Sequence, residues 1–285
     1  MSQIVDPYHE GELAVQTRMG EESRAVENAA IIRSTADHGT ARNFAQADIA
    51  AFTTRLEGNL RIDLCSGPTG FADLIGPSTV QFACDHTLPR TLIEGVKQAG
   101  LVGGVTVGFA ARQRARVNGT GFIVDDSTLQ IEAGEVFFNC TKFISTRTII
   151  EHDTTDDLSV DAVALVERAD MFFIGSHHPE RGLDATHRGG NAGFLRHDGA
   201  TLSWTEYPGN GMYQTMGNLV HHSEIAVIVP DLVTGTLVHF HGVARIEFGE
   251  MMTVTVDVDD VNLGELGFSR RWKPDKASPH NPPAV

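Results

Sequence analysis

Cysteine is scarce, and its spacing suits few of the chemistries that use it. The chain holds three, Cys65, Cys84 and Cys140, an odd number with no CxxC pair, which argues against a disulfide framework and for reduced thiols. Basic residues are also in deficit. Lys and Arg number 22 against 37 Asp and Glu, for a net charge of −15. Such a field repels phosphate backbones and anionic membrane surfaces, so neither nucleic acid nor membrane is an expected partner. No apolar run approaches the roughly 18 residues of a membrane-spanning helix. The opening MSQIVDPYHEGEL has neither a basic nor an apolar signal region, and the expected compartment is the cytoplasm. GxSxG, HExxH and P-loop patterns are missing too.

What is present is globular. Of 285 residues 41% are hydrophobic and 21% charged, enough to bury a substantial core. The chain also repeats itself. Gly67-Pro-Thr-Gly70-Phe71 returns as Gly190-Asn-Ala-Gly193-Phe194, and Thr79-Val-Gln-Phe82 as Thr201-Leu-Ser-Trp204. A helix-like stretch from Leu88 to Gln98 parallels Asn210 to Val220, and the apolar run Val102 to Phe109 parallels Glu224 to Asp231. Arg116 to Gly119 then parallels Phe240 to Gly242. Five features in one order imply a duplication.

Each copy opens on a hairpin: Ile49 to Leu56 and Leu60 to Cys65 around Glu57-Gly58-Asn59, then Met171 to Ser176 and Leu183 to His187 around 177–182. Leu129 to Ala133 and Met252 to Val258 alternate as half-buried strands do. Many short strands with one helix per copy predict a mainly β chain of two barrels. Glu10 to Ile32 and Ser159 to Ala169 read as helices introducing the copies, and Thr154 to Ser159 as the linker. The expected domains are a helical leader (1–40), a first copy (41–153), a second copy (159–272) and a mobile tail (273–285).

The second copy carries Asp184-Ala-Thr186-His187-Arg188-Gly189-Gly190, then Gly193-Phe194, Tyr207-Pro208-Gly209-Asn210, Thr215 and Gly217-Asn218-Leu219. The first adds Arg112-Gln-Arg114-Ala-Arg116-Val-Asn118-Gly119 and Phe138-Asn139-Cys140-Thr141-Lys142-Phe143, and the leader adds His9-Glu10-Gly11-Glu12-Leu13. Over roughly residues 8 to 272 this order resembles the FMN-binding split barrels of the pyridoxamine 5′-phosphate oxidase-like superfamily, closest to members with two barrels in one chain. The resemblance implies a tandem split barrel packed as an internal pseudo-dimer, with further homodimerisation open. It implies FMN between the copies and a small-molecule oxidoreductase with NAD(P)H or oxygen as redox partner. The other class left open is a non-catalytic flavin or ligand carrier or sensor. The implied cofactor residues are Thr186, His187, Arg188, Gly189, Asn210, Thr215 and Asn218, with Asn139 and Lys142 reaching across from the first copy. Catalytic residues are not assigned, and neither is the substrate.

The first copy has Cys65-Ser66-Gly67 where the second has its His-Arg stretch, and Asp85-His86-Thr87-Leu88 in place of Tyr-Pro-Gly-Asn. At most one FMN per chain is therefore expected. Many relatives carry Arg after the Pro-Gly-Asn triplet, whereas this chain has Gly211, which leaves Arg188 among few cations for a phosphate. Plainer readings stand beside these. Arg188 pairs with an acid; Asn210 caps a helix; Thr215 and Asn218 are structural; Lys142 is solvated. Arg112, Arg114 and Arg116 alternate on one strand face, most simply a solvated edge. His177-His178 and His221-His222 read as solvated. His239, His241 and Glu247 have the wrong spacing for a barrel metal site, so no metal is expected.

Overall fold

The computed structural model describes residues 7–150 and 161–282. Three helices lead in: α1 (Glu10–Met19), α2 (Glu22–Ala29) and α3 (His38–Ala45). The first copy runs β1 (Ile49–Leu56), β2 (Asn59–Ser66), β3 (Ala72–Leu74), β4 (Thr79–Ala83), α4 (Arg90–Ala99), β5 (Leu101–Gly108), β6 (Gln113–Asp125) and β7 (Thr128–Phe138). A strand β8 (Thr146–Ile150) and helix α5 (Ala162–Arg168) follow. The second copy runs β9 (Met171–His178), β10 (Gly182–Gly189), β11 (Leu195–His197), β12 (Thr201–Thr205), α6 (Gln214–His221), β13 (Glu224–Pro230), β14 (Thr236–Glu247) and β15 (Thr253–Glu265), and β16 (Arg271–Lys276) closes the chain.

The duplication is visible in the hydrogen bonding. One seven-stranded sheet has the order β2-β1-β5-β6-β7-β4-β3, the other β10-β9-β13-β14-β15-β12-β11. Strand for strand these are one topology twice, all antiparallel. The chain is mainly β, a tandem split barrel. Each barrel has its own core: Phe52, Phe82, Leu92 and Leu129 in the first, Phe172, Trp204, Leu219 and Phe240 in the second. A third core lies between them, where Ile49, Leu60, Leu64 and Val105 meet Phe173, Ala185 and Ile228.

The interface is reciprocal. β2 packs on β13 and β9, while β10 packs on β5 and β1. Each of these four contacts has its exchanged counterpart, as a two-fold relation requires. Both faces of the central strands are therefore covered, one by their own barrel and the other by the second copy.

Several elements differ from the sequence expectation. The leader is not one helix from Glu10 to Ile32: α1 ends at Met19, and α2 begins afresh at Glu22. Lys273 to Lys276, placed with the tail, belong to β16, which pairs with β8 while Trp272 fills the inter-barrel core. Pro274 is tolerated because this ribbon has only two strands and a proline on an edge forfeits little. The linker Thr154 to Ser159 lies outside the described residues. Among those described, no helix is long and apolar enough to cross a membrane.

Candidate functional site

The helix α6 begins at Gln214, four residues beyond Asn210, and the residue before it, Tyr213, is left-handed with φ 59°. Asn210 is thus not its N-cap, and the Pro-Gly-Asn triplet is not the mouth of a helix. Asn210 instead organises the loop between β12 and α6. Its Oδ1 accepts from the Met212 N–H at 3.2 Å, and its Nδ2 donates to Asn139 Oδ1 of the first copy at 3.1 Å. Its carbonyl accepts from Asn28 of α2 at 2.8 Å. Leader and both copies converge on one asparagine. Gly211 follows at φ 76°, where a Cβ would come within 3.2 Å of the Arg24 side chain. The conformation and the packing of Arg24 both favour glycine there.

This loop forms one wall of a cleft. The end of β10 (Thr186, His187, Arg188, Gly189) and Trp204 to Tyr207 form a second wall, and Arg114, Arg116, Asn139, Cys140 and Phe143 of the first copy face them. Counted out to its mouth, with the open solvent there included, the cleft spans about 830 Å³. Seven of the nine residues expected at the cofactor line it: Thr186, His187, Arg188, Gly189, Asn210, Thr215 and Asn139. Asn218 and Lys142 stand outside that wall. Asn218 is buried on the far side of α6, where it donates to Ser176 Oγ at 2.9 Å and meets His9 of α1 at 3.0 Å. It ties leader to barrel.

The electrostatics centre on arginines. Arg114 and Arg116 are not a solvated edge, because β6 is a central strand. Ala115 and Val117 face the first core, and the alternating arginines point at the second copy. Arg116, 6% exposed, pairs with Asp184 at 3.0 Å and donates to Thr186 Oγ1 at 2.6 Å. Its Nε is buried and has no hydrogen-bond partner among the described residues. Arg188 pairs with Glu206 at 2.7 Å and donates to the same Thr186 hydroxyl at 2.8 Å. Arg114 has carbonyl partners instead: Cys140 O at 2.7 Å and His187 O at 3.0 Å. Burial, and then the guanidiniums of Arg188 and Arg116, push Arg114 down to about 9. His187, 1% exposed, is held well below the usual histidine range by burial and then by Arg114 and Arg188, so its ring is neutral at pH 7.

Gly189 serves a purpose other than ligand approach. A Cβ there would stand 1.9 Å from the carbonyl oxygen of Phe143, so the first copy's backbone occupies that space. Sequence reasoning missed Arg114, Arg116, Asp184, Gln214 and Glu206 as members of this network. The signal was present in Arg112-Gln-Arg114-Ala-Arg116-Val, whose small apolar alternates mark a strand with a buried face. What the alternation cannot show is that the other face is covered as well.

The histidines sort differently from expectation. His178 is 1% exposed and packs on His9, ring centroids 4.0 Å apart, so it is not solvated. His9, Glu10 and His178 come together as metal-capable groups. His9 accepts from the Gly11 N–H through Nδ1 and meets Asn218 Oδ1 through Nε2. His239, His241 and Glu247 form no such group among the described residues; His241 pairs with Glu224 at 3.1 Å. The other group is Cys65, Cys84 and His86.

No family model matches the chain, and no curated protein matches it. Among solved structures it is similar to HupZ of Group A Streptococcus, with 13% identity and a TM-score of 0.30 over 37% of this chain and 92% of that one. It is similar to an F420 reductase, with 13% identity and a TM-score of 0.30 over 37% of this chain and 98% of that one. It is also similar to a Lactobacillus delbrueckii protein named as a candidate pyridoxamine 5′-phosphate oxidase, with 16% identity and a TM-score of 0.30 over 40% of this chain and 99% of that one.

Proposed function

We propose that the protein is an FMN-dependent oxidoreductase acting on a small molecule, with the flavin held in the cleft between the two barrels. The observation that carries this reading is the cationic balance of the cleft. Arg114, Arg116 and Arg188 converge on it, and Arg114 has no carboxylate partner among the described residues. In a chain of net charge −15, a partly buried cation whose hydrogen-bond partners are two carbonyls and a neutral imidazole is costly unless an anion completes it. A phosphate monoester supplies both charge and acceptors, and guanidiniums match its geometry.

Aromatic rings stand among the arginines on both sides of the cleft. Phe143, Phe194 and Tyr207 line the cleft, and the Phe143 and Tyr207 ring centroids lie 5.2 Å apart. Such rings suit a flat heterocycle. Residues present therefore fit the group: Arg114, Arg116 and Arg188 for its phosphate, and the neutral His187, Thr186 and Asn210 for polar contacts. When bound, FMN supplies hydride or single-electron transfer, and the protein supplies orientation and field.

The test of the enzymatic part is reduction of flavin-loaded protein by NAD(P)H without oxygen, followed by readmission of air. Loss of the visible flavin absorbance and its return in air are the expected results. Flavin that binds but is not reduced by either nicotinamide would remove the support for a nicotinamide-driven oxidoreductase and favour a carrier or sensor.

A further inference from the structure

The duplication gives every position of the second copy a counterpart in the first, including those of the cleft. Arg188 is the last residue but one of β10, opposite Phe172. Its counterpart is Cys65, last but one of β2 and opposite Ala50. Glu206 follows β12 directly, as Cys84 follows β4. The Arg188–Glu206 ion pair of one copy is thus a pair of thiols in the other. His86 joins them, and the two sulfurs and one imidazole nitrogen all lie within 4.8 Å of one another. We infer that Cys65, Cys84 and His86 form a binding site for one thiophilic divalent cation, zinc in the first instance, at the place where the second copy has its cleft.

The donor set is selective. Two thiolates and an imidazole favour zinc or copper over the hard cations that prefer oxygen. Donors around tetrahedral zinc at 2.0–2.3 Å lie roughly 3.3–3.8 Å apart, a spacing these side chains reach by small rotations. The histidine is also oriented for the task. Its Nδ1 meets the Thr87 carbonyl at 2.9 Å, while Nε2 accepts from the Ser66 N–H at 3.2 Å. The proton therefore sits on Nδ1, the outer hydrogen bond typical of a ligating histidine. The lone pair is on Nε2, where the metal would take the place of the Ser66 N–H.

The second copy supplies a cover. Phe268 lies with its ring centroid 5.4 Å from that of His86, and Arg270 binds the Gly67 carbonyl and, at 3.2 Å, Asp85. The segment after β15 closes over the thiols as the segment after β7 closes over the cleft. Cys65 is fully buried and Cys84 is 9% exposed, so a metal–thiolate bond there is sheltered from water. The fourth coordination position falls to a water or to a further ligand. This inference is independent of the flavin reading.

The full chain, stripped of metal under reducing conditions, is titrated with Zn²⁺ against a chromophoric chelator and separately with Co²⁺. One Zn²⁺ per chain and a thiolate-to-cobalt charge-transfer band are expected. Cys84→Ser and His86→Gln should weaken Zn²⁺ binding at least about 100-fold, since changes in outer-shell partners alone cost roughly 10–100-fold. His38→Gln, an exposed histidine on α3, should bind as the parent does. Thermal melts of each variant show whether it remains folded, and the cobalt band of the parent stands even where a variant does not. Absence of Zn²⁺ uptake, uptake unaltered in folded Cys84→Ser, or a cobalt spectrum without thiolate charge transfer would each overturn the site. So would a Cys65–Cys84 disulfide that, once reduced, takes up no metal.

Discussion

Arg114 of the first barrel donates to the backbone carbonyl of His187 in the second at 3.0 Å, so its charge is delivered across the interface and met there by a dipole. If that charge awaits a phosphate, Arg114→Met should weaken FMN binding roughly ten- to hundredfold, about 1.5–3 kcal/mol for a hydrogen bond to a charged group. Riboflavin, which has no phosphate, should lose less. Titration of both ligands by fluorescence checks this; an equal loss for the two would make Arg114 a fixture of the interface.

Arg188 and Glu206 are each other's counterion at 2.7 Å. Removing one leaves the other charged in a half-covered wall. Arg188→Met and Glu206→Met should each destabilise the fold, and the double variant should cost less than their sum by about 0.5–3 kcal/mol. Denaturant melts of the four proteins measure the coupling, and strict additivity would show the pair to be energetically idle.

Gly189 meets the first copy's backbone, and Gly209 meets nothing within 4 Å of its would-be Cβ. Gly189→Ala should lower stability by about 1–3 kcal/mol, the range for forcing atoms into a packed site. Gly209→Ala should leave stability unchanged. A Gly189→Ala melt equal to the parent's would contradict the close approach of Phe143.

Glu224 anchors the far end of the interface, where it pairs with Arg55 at 2.6 Å and accepts from the Leu60 N–H at 2.9 Å. Burial raises its carboxyl, but the hydrogen bonds from Leu60, His241 and Arg55 outweigh it and hold the group at about 2 against an ordinary 4.5. A folded value below the unfolded one contributes stability that is present above about 4.5 and lost as pH falls towards 2. Glu224→Gln should therefore be less stable than the parent at pH 7, by up to about 3 kcal/mol. The gap should narrow at pH 3. A gap independent of pH would assign the loss to packing.

The sequence carried much of this fold, because repeats and hairpins are local. The paired Gly-x-x-Gly-Phe segments and the alternating apolar strands announce two barrels whatever surrounds them. Of the nine residues named from the sequence, seven lie on one cleft. Which of those residues face the cleft was not legible, because that depends on the other copy. Arg114 and Arg116 look like a wet edge until a second barrel covers them. Asn218 looks like a cleft residue until α1 is seen packed against α6. Likewise Cys65 and Cys84, 19 positions apart, share no motif and meet only because the two ends of one sheet come together in the folded barrel.

The most direct measurement on the central claim is to denature protein purified without added cofactor, release whatever small molecule it carries, and identify it by chromatography and mass. Where loading is partial, the apoprotein is titrated to saturation. The account predicts FMN at no more than one per chain, lost selectively in Arg114→Met. No affinity for FMN, or two equivalent sites per chain, would contradict it.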